Sequence, residues 1–446
     1  MTSTLINSSP LPKLHAPTVK RLSNGLTIIA EQMPVEAVSL NIWLNVGSAV
    51  EPNPINGMAH FLEHMIFKGT DTLQSGEFER RVEERGAMIN AATSQDYTHY
   101  YLTASPQDFA DLAPLQIEVL LNATIPDDGF ERERQVVLEE IRRSQDNPRR
   151  RTFQHAIELT FEQLPYRRQV LGPASVIENL SAQQMRDFHT RWYQPQSMSV
   201  AVVGNLPIEE LIQIVESGFE QASQNRSQAQ IDMSQTEWQR LQHLGDGVSF
   251  SQEIPFTEVV RKECVDPSLQ QARLVMTWRV PGMVEVDQTY ALDVVASVLA
   301  HGRASRMVQD LREQRGLVSG ISASNMTYLH QGVFYISAQL PAANVPEVER
   351  AIAQHLHDLR TELITEFELE RVRKRVANHF VFGNETPSDR SGLYGFYHSL
   401  LGELDAAIDY PWHIQQVSPE AIRQAAQAFL DPRAYGVVAI YPGDKA

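Results

Sequence analysis

The chain has 446 residues, of which 42% are hydrophobic and 21% charged, a globular composition large enough for two or more domains. Its formal charge of −17 argues against nucleic-acid binding and indicates a solvated acidic surface or an acidic interior that attracts basic peptides. Cys264 is the only cysteine, which excludes a disulfide framework and a cysteine-based metal site.

The amino-terminal segment has no charged start followed by an apolar core, and no apolar run approaches the length of a membrane span. We therefore expect residues 1–16 to be a disordered leader and the protein to be soluble and cytoplasmic, with no membrane partner.

Two predicted strands, Leu26–Ala30 and Ser39–Leu44, precede a helix that contains the order H-x-x-E-H. His60 and His64 are four residues apart and share one face of that helix, the geometry that zinc requires of two imidazoles. Glu63 lies on the same side, within reach of a water on the metal, and the order is the inverse of the commoner H-E-x-x-H signature.

A chain with 14 histidines and 55 acids can produce so short a motif by chance. The residues around it are mostly apolar, however, and predict a buried helix that ends at Gly69. Buried histidine and glutamate are rare unless they are paired or bound to a metal, so the context favours a metal site.

A helix over Phe78–Arg85, ended by Gly86, leads to paired strands at Met88–Thr93 and Thr98–Thr103 and to a helix that starts at Pro106. Strands interleaved with long helices, mostly antiparallel, indicate an α+β layered domain.

The predicted helix Phe130–Ser144 is the source of candidates for a third metal ligand, because a catalytic zinc site normally has three protein ligands and a water. Glu133 and Glu140 lie two turns apart on one stripe of this helix. The alternative is that its acids form a solvated helix face.

A long repeat helps to choose between these acids. Ser181 and Ser418 each cap a predicted helix, 14 residues before a proline and a buried strand, and they are 237 positions apart. At this offset Glu140 becomes Ala377, whereas Glu133 becomes Glu370, and no H-x-x-E-H occurs in the second copy. The loss favours Glu140 as the ligand. The predicted units are a zinc-binding half (17–222), a linker (223–246) and a homologous metal-free half (247–446).

In combination, His60-x-x-Glu63-His64 and Glu140, 76 residues further on, resemble the pitrilysin/insulinase family of zinc peptidases. The duplicated length resembles its two-domain branch, which includes processing-peptidase subunits and small bacterial peptidases. The resemblance implies a duplicated antiparallel sheet packed with helices. It also implies one Zn²⁺ per chain on His60, His64 and Glu140, with Glu63 as the general base.

The resemblance also implies supporting roles. Glu133 would support the site without binding the metal, and Asn90 and Ala91 would lie on an edge strand to which the peptide substrate adds. Phe67 would lie near a substrate pocket, although a plain core phenylalanine is the alternative.

Arg312 matches the arginine of the family's Arg/Tyr motif, which touches the substrate backbone, but Ser319 stands where the tyrosine is expected. Three explanations are open: activity is weak, Tyr328 substitutes, or another chain supplies the pair. The assembly would then be a homodimer, or a heterodimer with a metal-free homologous subunit.

The sequence thus predicts a zinc metalloendopeptidase that hydrolyses peptides or unfolded segments in an enclosed chamber. The alternatives are a non-catalytic structural or processing-complex subunit that needs a second chain for activity, and a zinc-dependent binding module. The stretch after Glu140 is basic at Arg149 and Arg150, and it gives no support for presequence specificity.

Overall fold

The computed structural model describes residue 14 and residues 16–225 and 250–443. Apart from residues 14 and 16 the predicted leader lies outside the described residues, and so does the predicted linker apart from residues 223–225. The described residues form two halves, each a sheet packed with helices, which confirms the α+β fold predicted from the sequence. No helix among these residues has the length and apolar character to cross a bilayer.

The first half is built on a six-stranded sheet in the order β1-β2-β6-β3-β5-β4, in which only the β2–β6 pair is parallel. Its strands are β1 (Thr18–Arg21), β2 (Thr27–Gln32), β3 (Val38–Leu44), β4 (Met88–Thr93), β5 (Thr98–Ala104) and β6 (Met198–Gly204). Its helices are α1 (Met58–Ile66), α2 (Glu77–Glu84), α3 (Pro106–Asn122), α4 (Asp127–Asp146), α5 (Pro148–Thr160), α6 (Ala174–Ile177), α7 (Ala182–Trp192) and α8 (Ile208–Gln224). Short 3₁₀ turns lie at Ser48–Val50, Asn53–Ile55, Pro165–Arg167 and Pro195–Ser197.

The second half repeats this plan on a five-stranded sheet in the order β7-β11-β8-β10-β9, with β7–β11 as its parallel pair. Its strands are β7 (Val260–Asp266), β8 (Ala272–Pro281), β9 (Gly320–Met326), β10 (Gln331–Leu340) and β11 (Gly436–Pro442). Its helices are α9 (Val286–Ala300), α10 (Val345–Thr361), α11 (Glu366–Phe382), α12 (Pro387–Leu401), α13 (Asp405–Ile408), α14 (Tyr410–Gln416) and α15 (Pro419–Phe429), with a π-helical turn at Val308–Gln314 and 3₁₀ turns at Met283–Glu285 and Ala342–Asn344.

Strand side chains alternate between the two faces of a sheet, and the central strands β3, β6 and β8 are buried on both faces. On β3, Leu40 and Ile42 belong to the large core beneath the sheet, and on β8, Leu274 and Met276 do the same in the second half.

The predicted strands and helices lie within a few residues of the observed ones. Helix α1 ends at Ile66, earlier than predicted, and Gly69 lies in the following turn with φ +106.

The outer face of each sheet is covered by a helix from the other half. Helix α5 packs on β8 and β11, where Ala156 joins Val275 and Val438 in a small apolar cluster. In the same way α12 packs on β3 and β6, and Tyr394 joins Ala201 in another. The two halves therefore exchange helices, and neither sheet is fully covered by its own half.

Candidate active site

Helix α1 begins without a capping side chain of its own. The Glu51 carboxylate, which is fully buried, instead accepts hydrogen bonds from the backbone N–H groups of Gly57 and Ala59, at 2.8 and 2.7 Å, and from the Asn56 side chain. Burial raises the pKa of Glu51 to about 7, although these hydrogen bonds oppose the rise. This carboxylate fixes the start of the helix that carries His60.

Helix α4 packs against α1, with the rings of Phe61 and Phe130 stacked at 4.6 Å. The packing brings Glu140 to both histidines. Its Oε2 lies 3.5 Å from Nε2 of His60 and 3.6 Å from Nε2 of His64.

These three donor atoms have the spacing of a metal site. In a tetrahedral zinc site with ligand bonds of about 2.0–2.1 Å, neighbouring donors are about 3.4 Å apart. Among the described residues, His60, His64 and Glu140 are the one group of three or more potential ligands whose donor atoms all lie within 4.8 Å of one another. Two imidazoles and one carboxylate are a donor set suited to zinc.

The surroundings of His60 and His64 determine the protonation state of each imidazole ring. Burial, reinforced by the neighbouring His64, lowers the pKa of His60 to about 4, which keeps its ring neutral and able to bind a metal. Burial opposes a charge on His64 as well, but hydrogen bonds to Glu140 and Glu133 outweigh it and raise the pKa of His64. Metal binding at His64 therefore competes with a proton.

Glu133 orients His64 from outside the donor set. Its Oε1 lies 3.0 Å from Nδ1 of His64, and its Oε2 lies 2.7 Å from Nζ of Lys68. Such a carboxylate fixes which ring nitrogen faces the metal. No such carboxylate orients His60. Its Nδ1 is buried and has no hydrogen-bond partner among the described residues.

Glu63 lies on α1 between the two histidines and faces β4. Its Oε2 accepts a hydrogen bond of 2.6 Å from the Thr93 hydroxyl. Burial raises the pKa of Glu63, and the hydrogen bond from Thr93 opposes the rise. A half-buried carboxylate held in this way is suited to exchange protons with a reacting group beside the histidines.

A cavity of about 450 Å³ opens in front of these groups. His60, Glu63 and Glu140 form one wall of it, and Thr93 lies at the end of β4, the edge strand of the first sheet. The second half contributes Tyr328, whose ring stacks on Tyr166 at 4.4 Å.

Asp96 joins the halves at this point. It accepts hydrogen bonds from the Tyr166 hydroxyl and from the backbone N–H of Leu329, both at 2.9 Å. The Tyr166 hydroxyl in turn accepts from the backbone N–H of His330. The site is therefore completed by a turn of the second half.

The residues predicted to contact substrate do not line the cavity, unlike the proposed metal ligands His60 and Glu140. Asn90 and Ala91 lie on β4, as predicted, but the cavity is lined by the next two residues of the strand. Phe67 packs against Phe78 and Tyr100 and does not line the cavity.

Arg312 also lies away from the cavity lining, where it pairs with the adjacent Glu313 at 2.6 Å. The hydroxyl of Ser319 donates to the side chain of Gln271. Neither Arg312 nor Ser319 therefore lines the cavity, whereas Tyr328, the residue suggested as a substitute for the tyrosine, does.

In the second half the corresponding groups have changed. The positions 237 residues after His60, Glu63 and His64 hold Ser297, Ala300 and His301. Nδ1 of His301 lies 3.0 Å from the Ser297 hydroxyl, and its Nε2 lies 3.0 Å from a backbone carbonyl. The remaining histidine thus serves as an internal hydrogen-bonding group.

Sequence reasoning missed Glu51, Thr93 and Tyr166. An acid shortly before an Asn-Gly step at a helix start was the one available signal for Glu51. Thr93 is placed at the site by the pairing of β4 with β5. Tyr166 is held there by its contacts with Tyr328 and His330 of the second half.

Comparison with known proteins agrees with this architecture. Residues 26–174 match the family model for "Insulinase (Peptidase family M16)", and residues 179–376 match that for "Peptidase M16 inactive domain". An uncharacterized zinc protease of Mycobacterium tuberculosis is 27% identical over 428 residues, which are 96% of this chain and 93% of that protein.

Two solved structures share the fold. A protease from Helicobacter pylori has a TM-score of 0.85 at 24% identity, over 96% of this chain and 100% of that one. A chain of complex III from Candida albicans has a TM-score of 0.76 at 14% identity, over 95% of each chain. The two family models together cover most of both halves, and the chain belongs to the insulinase family of peptidases.

Proposed function

We propose that this protein is a zinc-dependent endopeptidase that hydrolyses peptides or unfolded segments within an enclosed chamber. The observation that carries the proposal is the spacing of the three donor atoms of His60, His64 and Glu140, with the Glu63 carboxylate beside them. The zinc proteases among its relatives support the choice of metal.

When bound at this site, zinc would act as a Lewis acid toward the scissile carbonyl and the attacking water. Glu63 would take the proton of that water and pass it to the leaving amine, while Thr93 holds the carboxylate in position. The free edge of β4 would bind the substrate as an added strand.

A non-catalytic structural or processing-complex subunit is the second candidate. The likeness to a chain of complex III and the serine at position 319 favour it. The complete set of His60, Glu63, His64 and Glu140 argues against it, because a structural subunit has no need of those groups.

We propose a dimeric assembly, either of two copies or with a metal-free homologous chain that supplies the Arg/Tyr pair. The position of Arg312 outside the cavity lining and the serine at position 319 support a second chain. Analytical ultracentrifugation of the purified protein alone shows whether it forms a homodimer. Co-purification from its source shows whether a second, homologous chain accompanies it.

The test is the substitution Glu63→Gln in the zinc-loaded protein. We expect zinc content equal to that of the parent and a fall of about 10²-fold or more in peptide cleavage, because an amide cannot accept the proton. Metal analysis and cleavage of an internally quenched peptide measure the two properties.

Glu139→Gln is the matched control, since Glu139 lies beside Glu140 but pairs with Arg142 and Arg143 on the exposed face of α4. It should leave both properties unchanged. Cleavage at the parental rate by Glu63→Gln would refute the mechanism, and failure of the parent to bind zinc would refute the enzyme assignment.

A further inference from the structure

A second cavity, of about 400 Å³, lies beside the candidate active site. It is formed between the start of α5 and the outer face of the second sheet, and Arg150 and Phe153 line both cavities. Arg149, Arg150 and Arg273 bring three guanidinium groups to its walls, and no carboxylate lines it.

Other arginines in this region have acidic partners. Arg151 pairs with Asp266, and Arg279 pairs with Glu253 at 2.9 Å. The three arginines of the second cavity form no ion pair with any described residue. Arg150 helps to lower the pKa of Glu140, but no carboxylate neutralises the three guanidinium groups at close range, so they can attract an anion in a protein whose formal charge is −17.

Arg273 is the most informative of the three. It projects from the outer face of β8, is half-buried, and its Nε is shielded from solvent without a hydrogen-bond acceptor among the described residues. Leaving a buried donor of a charged group unsatisfied is costly, and an anionic ligand in the cavity would supply the missing acceptor.

The rest of the cavity wall suits an anion as well. Ser322, Tyr335 and Ser337 place hydroxyl groups on the neighbouring strands β9 and β10. Hydroxyl and guanidinium groups can all donate hydrogen bonds to a carboxylate, and clustered positive charge in a concave site strengthens its attraction.

The placement of the cavity connects it to substrate. An extended peptide on the edge of β4 passes the metal-binding groups and advances about 3.3 Å per residue. Because the two cavities share Arg150 and Phe153, a substrate residue a few positions from the scissile bond would come within reach of the arginines.

On the basis of the proposed peptidase function, we infer that the second cavity is a substrate subsite for an acidic side chain. The enzyme then prefers peptides that carry Glu or Asp a few residues to one side of the scissile bond. A free carboxyl terminus offers the same chemical group, and we assign the subsite to the side chain.

The test uses the zinc-loaded full chain and internally quenched peptides with blocked termini. Glu, Gln or Lys is placed in turn at each of several positions on both sides of the cleavage site. At one position we expect kcat/KM for the Glu peptide to exceed that for the Gln peptide about tenfold, with the Lys peptide lowest.

Arg273→Gln should remove most of this Glu-over-Gln ratio, chiefly by lowering kcat/KM for the Glu peptide. Arg149→Gln, at an exposed position, is a second variant that does not endanger the fold. Arg433→Gln is the charge-matched control, because its side chain is 84% exposed and pairs with Asp431. Calorimetry of the same peptides binding to the zinc-loaded Glu63→Gln variant should rank their affinities in the same order, with the Glu peptide tightest and the Lys peptide weakest.

A parent enzyme that cleaves Glu and Gln peptides equally at every position overturns the inference, and so does a ratio that survives both arginine variants. A preference that appears only with an unblocked carboxyl terminus overturns the assignment to a side chain. These results differ from failure of the proposed function, in which the zinc-loaded chain cleaves none of the peptides.

Discussion

At the scale of single residues, Glu133 links His64, one of the proposed metal ligands, to the side chain of Lys68. Its two oxygens contact His64 and Lys68, and burial, which opposes its charge, is outweighed by these partners, so the pKa of Glu133 lies below its usual value. The carboxylate is thereby ionised at neutral pH and able to accept a hydrogen bond from Nδ1–H of His64.

Glu133→Gln should weaken zinc binding about 10- to 100-fold, because the amide orients the His64 ring less firmly and leaves Lys68 unpaired. Competition with a fluorescent zinc chelator measures the affinity. Glu370→Gln is the control, since Glu370 is the same position of the repeat and pairs with Lys374 at 3.2 Å. Equal affinities in both variants and the parent would contradict this role.

The repeat explains why Glu140 could be chosen from the sequence as the candidate ligand, whereas the supporting role of Glu133 came from the family resemblance. Glu140 is replaced by Ala377 in the copy that lacks the histidines, whereas Glu133 is kept as Glu370. Glu51 could not be chosen in this way. Its function depends on a backbone turn that places it against the amide groups of Gly57 and Ala59, and the sequence contains no pattern for that turn.

At the scale of elements, α1 depends on one buried carboxylate. Glu51 has its pKa raised to about 7 by burial, above the value of 4.5 for the free side chain. Between these pH values the folded protein holds a proton that the unfolded chain has released, so this group makes the free energy of unfolding fall as pH rises from about 4.5 to 7.

Glu51→Gln should remove that dependence while losing hydrogen bonds at the start of α1. The variant is expected to be less stable than the parent, and the difference between them should shrink by on the order of 3 kcal/mol as pH rises from 4.5 to 8. Urea unfolding followed by circular dichroism at several pH values measures it. A difference that stays constant with pH would show that Glu51 does not titrate in this range.

The close packing of α12 on the first sheet can also be tested by substitution. A methyl group at Gly395 would lie 2.0 Å from Nε1 of Trp43, and the stacking of Trp43 on His99 at 4.2 Å leaves little room for it to move. Gly395→Ala is expected to cost about 1–3 kcal/mol by overpacking.

Gly392→Ala is the control one turn earlier on α12, where the nearest heavy atom would be 4.0 Å away. There alanine should be neutral, or stabilising by up to about 1 kcal/mol, because it favours the helix. Thermal unfolding of both variants measures the effect. Equal melting temperatures would mean that α12 does not press on Trp43 as closely as described.

Elements were largely predictable because their signals are local. The caps at Ser181 and Ser418 and the strand at Met88–Thr93 occur as predicted. The sheet that each helix covers was not predictable. Helix α12 carries apolar residues on more than one side, and nothing in its own sequence shows that one of those sides faces the other half.

At the scale of the whole molecule, the exchanged helices make each half depend on the other. A chain cut between residues 235 and 236 keeps every described helix and strand intact. The first fragment alone should expose Ala201 and Val203 on its sheet, and the second should expose Val275 and Val438.

Each fragment is therefore expected to bind a hydrophobic dye and to aggregate, and the mixed fragments should associate and lose the dye. Dye fluorescence and size-exclusion chromatography measure both effects. Fragments that stay monomeric and bind no dye, before and after mixing, would show that the halves fold independently.

The exchange of α5 and α12 also bears on the origin of the chain. A single ancestral unit would have left its sheet bare while offering its helix to a neighbour, so it would have existed as a symmetric pair with two equivalent metal centres. Fusion of two such units would make the pairing permanent. Substitutions such as those at Ser297 and Ala300 would then be tolerated in one copy, because the other copy keeps the candidate site.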